Sequence, residues 1–160
     1  MIKEVILFAA GDPQAAKTWS NVPAMMYNTL KSKGIKVHGV SFAPENIICT
    51  LGAYFNKVLR LMFRGCVYDF SRTSLYRYLC NSRIRKAIEK YPNADCCIFM
   101  TFSYYNKFSN IPSVLFCDWT YDVLLNERIG RKPYFFEKWP LKQEREAVTS
   151  SQYVFNVSSI

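Results

Sequence analysis

The chain has 160 residues, half of them apolar and 21% charged. That length suits one domain, and the composition excludes wholesale disorder. Its 21 lysines and arginines against 12 acids leave a formal charge of +9, which points to an anionic partner: a phosphorylated ligand, a nucleic acid or an acidic membrane surface.

In chain order, Val5 to Ala10 is a continuous apolar run ending at Gly11, the pattern of a strand buried on both faces of a parallel sheet. No signal peptide is present, and no stretch reaches the roughly 18 uncharged apolar residues of a membrane span. Residues 11–21 read as a loop. A helix follows from Val22-Pro23 to Gly34, with Met26 and Leu30 four apart. Ile35 to Phe42 reads as a second strand, completing a βαβ opening. Residues 47–64 carry Ile48, Leu51, Phe55, Val58, Leu59 and Met62 at three- and four-residue steps, which predicts an amphipathic helix. Residues 72–91 predict either one helix or two that meet near Asn81-Ser82, ended by Pro92-Asn93. Residues 95–101 and 112–117 predict the third and fourth strands, the latter with its proline at the strand start. Residues 120–129 are weakly helical. Residues 135–149 are helical, with Pro140 expected to kink or restart the helix. Residues 153–157 form a fifth strand.

Strands alternating with helices predict an α/β fold, a Rossmann-like doubly wound parallel sheet, as a single domain over 1–160. The chain stops directly after its fifth strand, which such a sheet covers with a further helix. The expectation is therefore a first domain of a longer protein, against a complete domain with a terminal strand. The six cysteines include no C-x-x-C, and there is one histidine. Spacing alone thus predicts reduced, mostly core thiols in a cytosolic chain, with neither a metal nor a cofactor.

Ligands of open α/β sheets bind beyond the carboxyl ends of the strands. The segments 11–21, 102–107, 118–122 and 158–160 are therefore the candidate site. The first lacks G-x-G-x-x-G and the Walker A pattern, which weakens NAD and ATP readings. Lys17, Thr18, Trp19 and Ser20 combine a cation, hydroxyls and an indole, a mixture suited to sugar recognition; the alternative is a surface loop anchored by Trp19. After the fourth strand come Asp118, Trp119 and Thr120. Asp118 is either a hydroxyl partner or base, or the cap of the next helix.

Nine basic residues lie between Lys57 and Lys90 against Asp69 and Glu89 alone, interleaved with tyrosines and phenylalanines. A basic, aromatic-rich amphipathic helix suits an anionic membrane interface, with Lys57, Arg60 and Arg64 facing it. The alternative is that 47–64 packs on the sheet and the charges solvate it. No nucleic-acid module is recognisable, and nucleic acid is not an expected partner.

Several segments carry a resemblance. They are the opening strand into Gly11, Thr18-Trp19-Ser20-Asn21-Val22-Pro23, Leu30 to Val37, the strand closing on Asp118, Glu144 to Ala147, and Tyr153 to Ser158. In this order and spacing the chain resembles the N-terminal, acceptor-side domain of a GT-B glycosyltransferase, of the retaining family 4 or group 1. Members often show Trp-Ser-Gly-Thr-Pro in the first loop, where Asn21 and Val22 replace Gly-Thr here, and a histidine after the fourth strand, where Asp118-Trp119 stands here. The resemblance implies a transferase moving a sugar from a nucleotide-sugar donor to a glycan or lipid-linked acceptor, in cell-surface polysaccharide synthesis. It implies that a second domain binds the donor through Glu-x7-Glu, a motif not assigned to Glu137 and Glu146. This domain alone would then be inactive. It further implies a cytoplasmic protein peripheral to the inner face of the cell membrane.

Within that resemblance, Gly11 permits close backbone approach, Trp19, Ser20 and Trp119 contact substrate, and Asp118 with Thr120 orients an acceptor hydroxyl, Asp118 being the catalytic candidate. Two rivals come from other classes: a stand-alone Rossmann-like module for a nucleotide or phosphorylated ligand, and a basic domain that docks on a membrane or a partner.

Overall fold

The computed structural model describes residues 2–44, 46–63 and 66–156. Arg64 and the segment 158–160, singled out above, lie outside the described residues. Five strands form one sheet: β1 (Glu4–Ala9), β2 (Lys36–Ser41), β3 (Cys96–Phe99), β4 (Ser113–Cys117) and β5 (Tyr153–Asn156). Their order is β2-β1-β3-β4-β5, and every pairing is parallel. The molecule is thus the doubly wound α/β sheet that the alternation of elements predicts.

The β1 run shows why. Its residues alternate between two faces, and both faces are apolar because both are covered. Ile6 and Phe8 turn toward α3 (Ser74–Lys90) and α5 (Lys138–Ser150), packing with Ile84, Phe99, Leu115 and Ala147. Val5, Leu7 and Ala9 turn toward α1 (Val22–Ser32), packing with Met26 and Leu30. Full burial of side chains of this size is worth about 1.5–3 kcal/mol each. α1 starts with Pro23 in its first turn and stops at Gly34, whose φ of +78° suits glycine.

In three helical segments the structure decides between the readings that the sequence leaves open. α3 runs unbroken through Asn81-Ser82, capped by the Thr73 hydroxyl, which accepts from the Tyr76 amide at 3.3 Å. Asn and Ser cost under about 0.7 kcal/mol each in a helix, whereas Cys80, Ile84, Ala87 and Ile88 bury one face of α3 on the sheet. Pro140 neither kinks nor breaks α5. It falls in the first turn, where no intrahelical hydrogen bond is lost, after a 3₁₀ turn at Phe135–Glu137. The weakly helical 120–129 begins as one α-turn, α4 (Tyr121–Val123), and widens into a π-helical turn over Leu124–Ile129, ended by Gly130 at φ +68°.

The long helix α2 (Asn46–Met62) packs mainly on the 3₁₀ turn Phe70–Arg72. A Cβ on Gly52 would sit 2.4 Å from the Phe70 ring, so the two elements meet backbone to ring. The Asn56 side-chain oxygen accepts from the Phe70 amide at 2.6 Å. A cluster of Phe63, Tyr68, Tyr134 and Phe136 joins this region to the start of α5.

Candidate functional site

The chain crosses from β1 to β2 on one side of β1 and later passes through β3 to β4 on the other, so the carboxyl ends of β1 and β3 flank a switch point. A cavity of about 480 Å³ opens there. Its base is Ala9 to Gly11, Met100, Thr101 and Cys117, from the ends of β1, β3 and β4. Thr18, Trp19, Tyr104, Trp139 and the guanidinium-bearing Arg72 and Arg77 close the sides.

The first loop is built to hold Trp19 there. Asp12 accepts from the Gln14 amide at 2.9 Å, and the Thr18 hydroxyl donates to the Asp12 carbonyl at 2.7 Å. At Gly11 a Cβ would lie 3.0 Å from the Thr18 hydroxyl oxygen, so the tight turn favours glycine. Trp19, Ser20 and Asn21 then take φ of +40°, +52° and +71°. Left-handed backbone costs an L-residue roughly 1–2 kcal/mol, and such strain gathers at functional sites. Trp19 both packs on the α1 face of the sheet and lines the cavity, so the anchoring and ligand-facing readings describe the same side chain.

Arg77 is only 9% exposed. Its Nη1 donates to the Ser103 carbonyl at 2.8 Å, and its plane lies over the rings of Tyr104, at 5.0 Å, and Trp139, at 5.9 Å. Burial pulls its pKa below the ordinary arginine value. Arg72 lies 3.7 Å from the centre of the Tyr121 ring. The Nε of each arginine is buried with no hydrogen-bond partner. Neither has a carboxylate within ion-pair distance among the described residues.

Tyr121 in turn is fixed by two buried acids. Its amide donates to Glu144 at 2.6 Å and its hydroxyl to Glu137 at 2.8 Å. Burial would raise the Glu137 carboxyl, but the two-pronged Arg131 contact at 2.7 and 2.8 Å, the Tyr134 amide and the Tyr121 hydroxyl outweigh it and hold the pKa below the usual range. At Glu144 burial dominates and the pKa rises.

No carboxylate, histidine or lysine is among the described residues that line the cavity. The lining thiol, Cys117, is pushed up to about 11 by burial, so it is protonated at neutral pH. The lining thus combines two guanidiniums, two indoles, hydroxyls and apolar walls, a set with the means to bind a polar, anionic ligand.

Of the residues singled out from sequence, Gly11 and Trp19 line this cavity. Ser20 is exposed beside it. Asp118 accepts from the Trp119 amide at 3.0 Å, and the Trp119 ring carries Arg128 at 4.4 Å. Thr120, not Asp118, caps α4, accepting from the Val123 amide at 3.2 Å; a cap must sit immediately before the first turn, and Thr120 does. Asp118, Trp119 and Thr120 are half-buried and do not line the cavity. Ser103 and Tyr104 also line it, from the segment 102–107 that the strand ends single out. The lining residues that sequence reasoning missed are Arg72, Arg77 and Trp139; the two arginines lie in the basic, aromatic-interleaved stretch, where they pass for surface charge, and Trp139 carries no such signal.

On α2, Tyr54, Val58, Leu61 and Met62 follow helical steps and are 64%, 53%, 87% and 69% exposed, with Lys57 and Arg60 exposed beside them. No helix among the described residues is long and apolar enough to cross a membrane. Compared with protein-family models, with curated proteins and with solved structures, the chain matches none.

Proposed function

We propose that this chain is the acceptor-holding domain of a GT-B glycosyltransferase resembling the retaining family 4. In this reading it presents a glycan or lipid-linked acceptor to a nucleotide sugar held by a second domain. The observation that carries it is the composition of the switch-point cavity: two indole faces, two guanidiniums and several hydroxyls. Sugar rings stack on aromatic faces, hydroxyls hydrogen-bond, and guanidiniums take phosphate. Asn21 adds support. It stands where the family motif often has glycine and adopts φ +71°, a conformation asparagine tolerates better than most residues.

The test is binding of neutral and phosphorylated hexoses, followed by tryptophan fluorescence and ligand-observed NMR. Saturable sugar binding that Trp19→Ala weakens by about tenfold, or roughly 1.4 kcal/mol, supports the reading. Saturable binding of a mononucleotide with no response to sugars favours the stand-alone nucleotide module instead.

A second element joins the same reading. The exposed stripe of α2, with Lys57 and Arg60 and no acid in the helix, suits the interface of an anionic membrane that displays a lipid-linked acceptor. Two cations near such a surface are worth about 2 kcal/mol at low salt. Leu61→Glu should abolish sedimentation with phosphatidylglycerol vesicles. Vesicle binding unchanged by that substitution would remove the membrane role.

A further inference from the structure

We propose that Arg77 and Arg72 form an anion subsite of the switch-point cavity, receiving a phosphoryl or diphosphoryl group of the bound ligand. The ligand's sugar moiety rests on the acceptor reading above; the subsite itself rests on the two arginines.

Each guanidinium has five donors. Arg77 spends one on the Ser103 carbonyl, and its Nε is buried with no acceptor. The Nε of Arg72 is in the same state. A buried donor without an acceptor is costly, and native folds rarely keep one; both arginines line the cavity, and an anion bound there that draws a guanidinium toward it supplies the missing acceptor. The acids around the two arginines are engaged elsewhere: Asp69 by the Ser71 amide, Glu144 by the Tyr121 amide, Glu146 by the Tyr105 hydroxyl at 2.7 Å, and Glu137 by Arg131. Aromatic rings hold the two cations in place without neutralising them, Tyr121 under Arg72 and Tyr104 with Trp139 under Arg77. The hydroxyls of Ser71 and Thr101 line the same cavity. A planar fork with free N–H groups matches phosphate oxygens better than it matches any neutral acceptor.

Sodium pyrophosphate is the probe, titrated into the 160-residue chain. Tryptophan fluorescence reports the cavity, because Trp19 and Trp139 line it. The Nε–Hε NMR signals of Arg72 and Arg77 report the subsite directly. The expected result is saturable binding that shifts both Nε signals. Arg77→Gln and Arg72→Gln should each weaken it by roughly tenfold or more, and Arg85→Gln, an exposed change on α3, should not. Absence of binding, or binding equally tight in a folded Arg77→Gln chain, overturns the subsite. Should Arg77→Gln fail to fold, the half-exposed Arg72→Gln and the wild-type Nε shifts decide alone. Phosphatidylglycerol vesicles separate the phosphate sources: a shift of the Arg77 Nε signal by vesicles assigns the subsite to a lipid headgroup, and a shift by pyrophosphate alone assigns it to a soluble or linker phosphate. Pyrophosphate binding with no gain from an attached sugar keeps the subsite and removes the acceptor reading. Sugar binding indifferent to both arginine variants keeps that reading and removes the subsite.

Discussion

Asn21 at φ +71° is the residue on which the first loop turns into α1, and asparagine tolerates that backbone better than Trp19 and Ser20 before it. Asn21→Gly should leave stability unchanged or slightly higher, while Asn21→Val should lower it by about 1–2 kcal/mol, as read by urea denaturation. Glu137 is a different kind of residue, fully buried and bound by Arg131, Tyr121 and Tyr134. Its carboxyl pKa in the folded state lies below the unfolded value, so it stabilises the fold at neutral pH, and that contribution fades as pH falls through the folded pKa. Glu137→Gln should destabilise by up to about 3 kcal/mol, toward the low end for removing one partner of a buried pair because Arg131 is only partly buried, and should flatten the acid limb of the stability profile. Glu144 has the opposite sign. Its pKa is raised by burial, so its neutral form is favoured and stability is lost as pH rises from the unfolded toward the folded pKa. Glu144→Gln, which keeps an oxygen for the Tyr121 amide, should be as stable as the parent chain at neutral pH or more so. Denaturation of the two glutamine variants across a pH series checks both signs.

Among the elements, α2 shows most plainly how packing decides what a pattern means. Its apolar periodicity is readable in the sequence, yet the helix leans on Phe70 through Gly52 and leaves Tyr54, Leu61 and Met62 in solvent. Gly52→Val would drive a branched side chain into the Phe70 ring. It should detach α2 and lower stability by about 1–3 kcal/mol, the usual range for overpacking. Hydrogen exchange along 46–62, rising in that variant while α3 stays protected, is the check. α3 teaches the reverse lesson: Asn81-Ser82 reads locally as a breaker, and burial of Cys80 and Ile84 on either side overrides it. Among the described residues the β5 strand pairs only with β4, and its Tyr153 and Phe155 are mostly exposed.

For the whole molecule, five parallel strands between two helical layers gather the polar groups of the loops after β1 to β4 at one end and leave thiols inside. Cys80 and Cys117 are pushed up to about 11 and Cys97 to about 12, each chiefly by burial, whereas Cys49 is exposed. A thiol reagent at neutral pH should therefore modify Cys49 in the native chain and reach Cys80, Cys97 and Cys117 only after denaturant is added. Fast native labelling of Cys117 would mean that the cavity opens more widely than the structure shows.

What the sequence determined by itself was the class of fold and the end of the sheet at which the cavity opens. Buried parallel strands must be apolar on both faces, so runs such as Val5 to Ala10 announce themselves, and their carboxyl ends place Gly11 and Trp19 at the site without coordinates. Tertiary structure decided which cations serve the cavity and which face solvent. Arg77 sits in a helix whose charges look alike in sequence; it is buried only because Ser103, Tyr104 and Trp139 arrive from elements far along the chain. Asp118, prominent at a strand end, is turned aside because its carboxylate closes locally on the Trp119 amide. Local chemistry sets what each residue is able to do, and long-range packing, invisible to periodicity, sets which residues are brought together to do it.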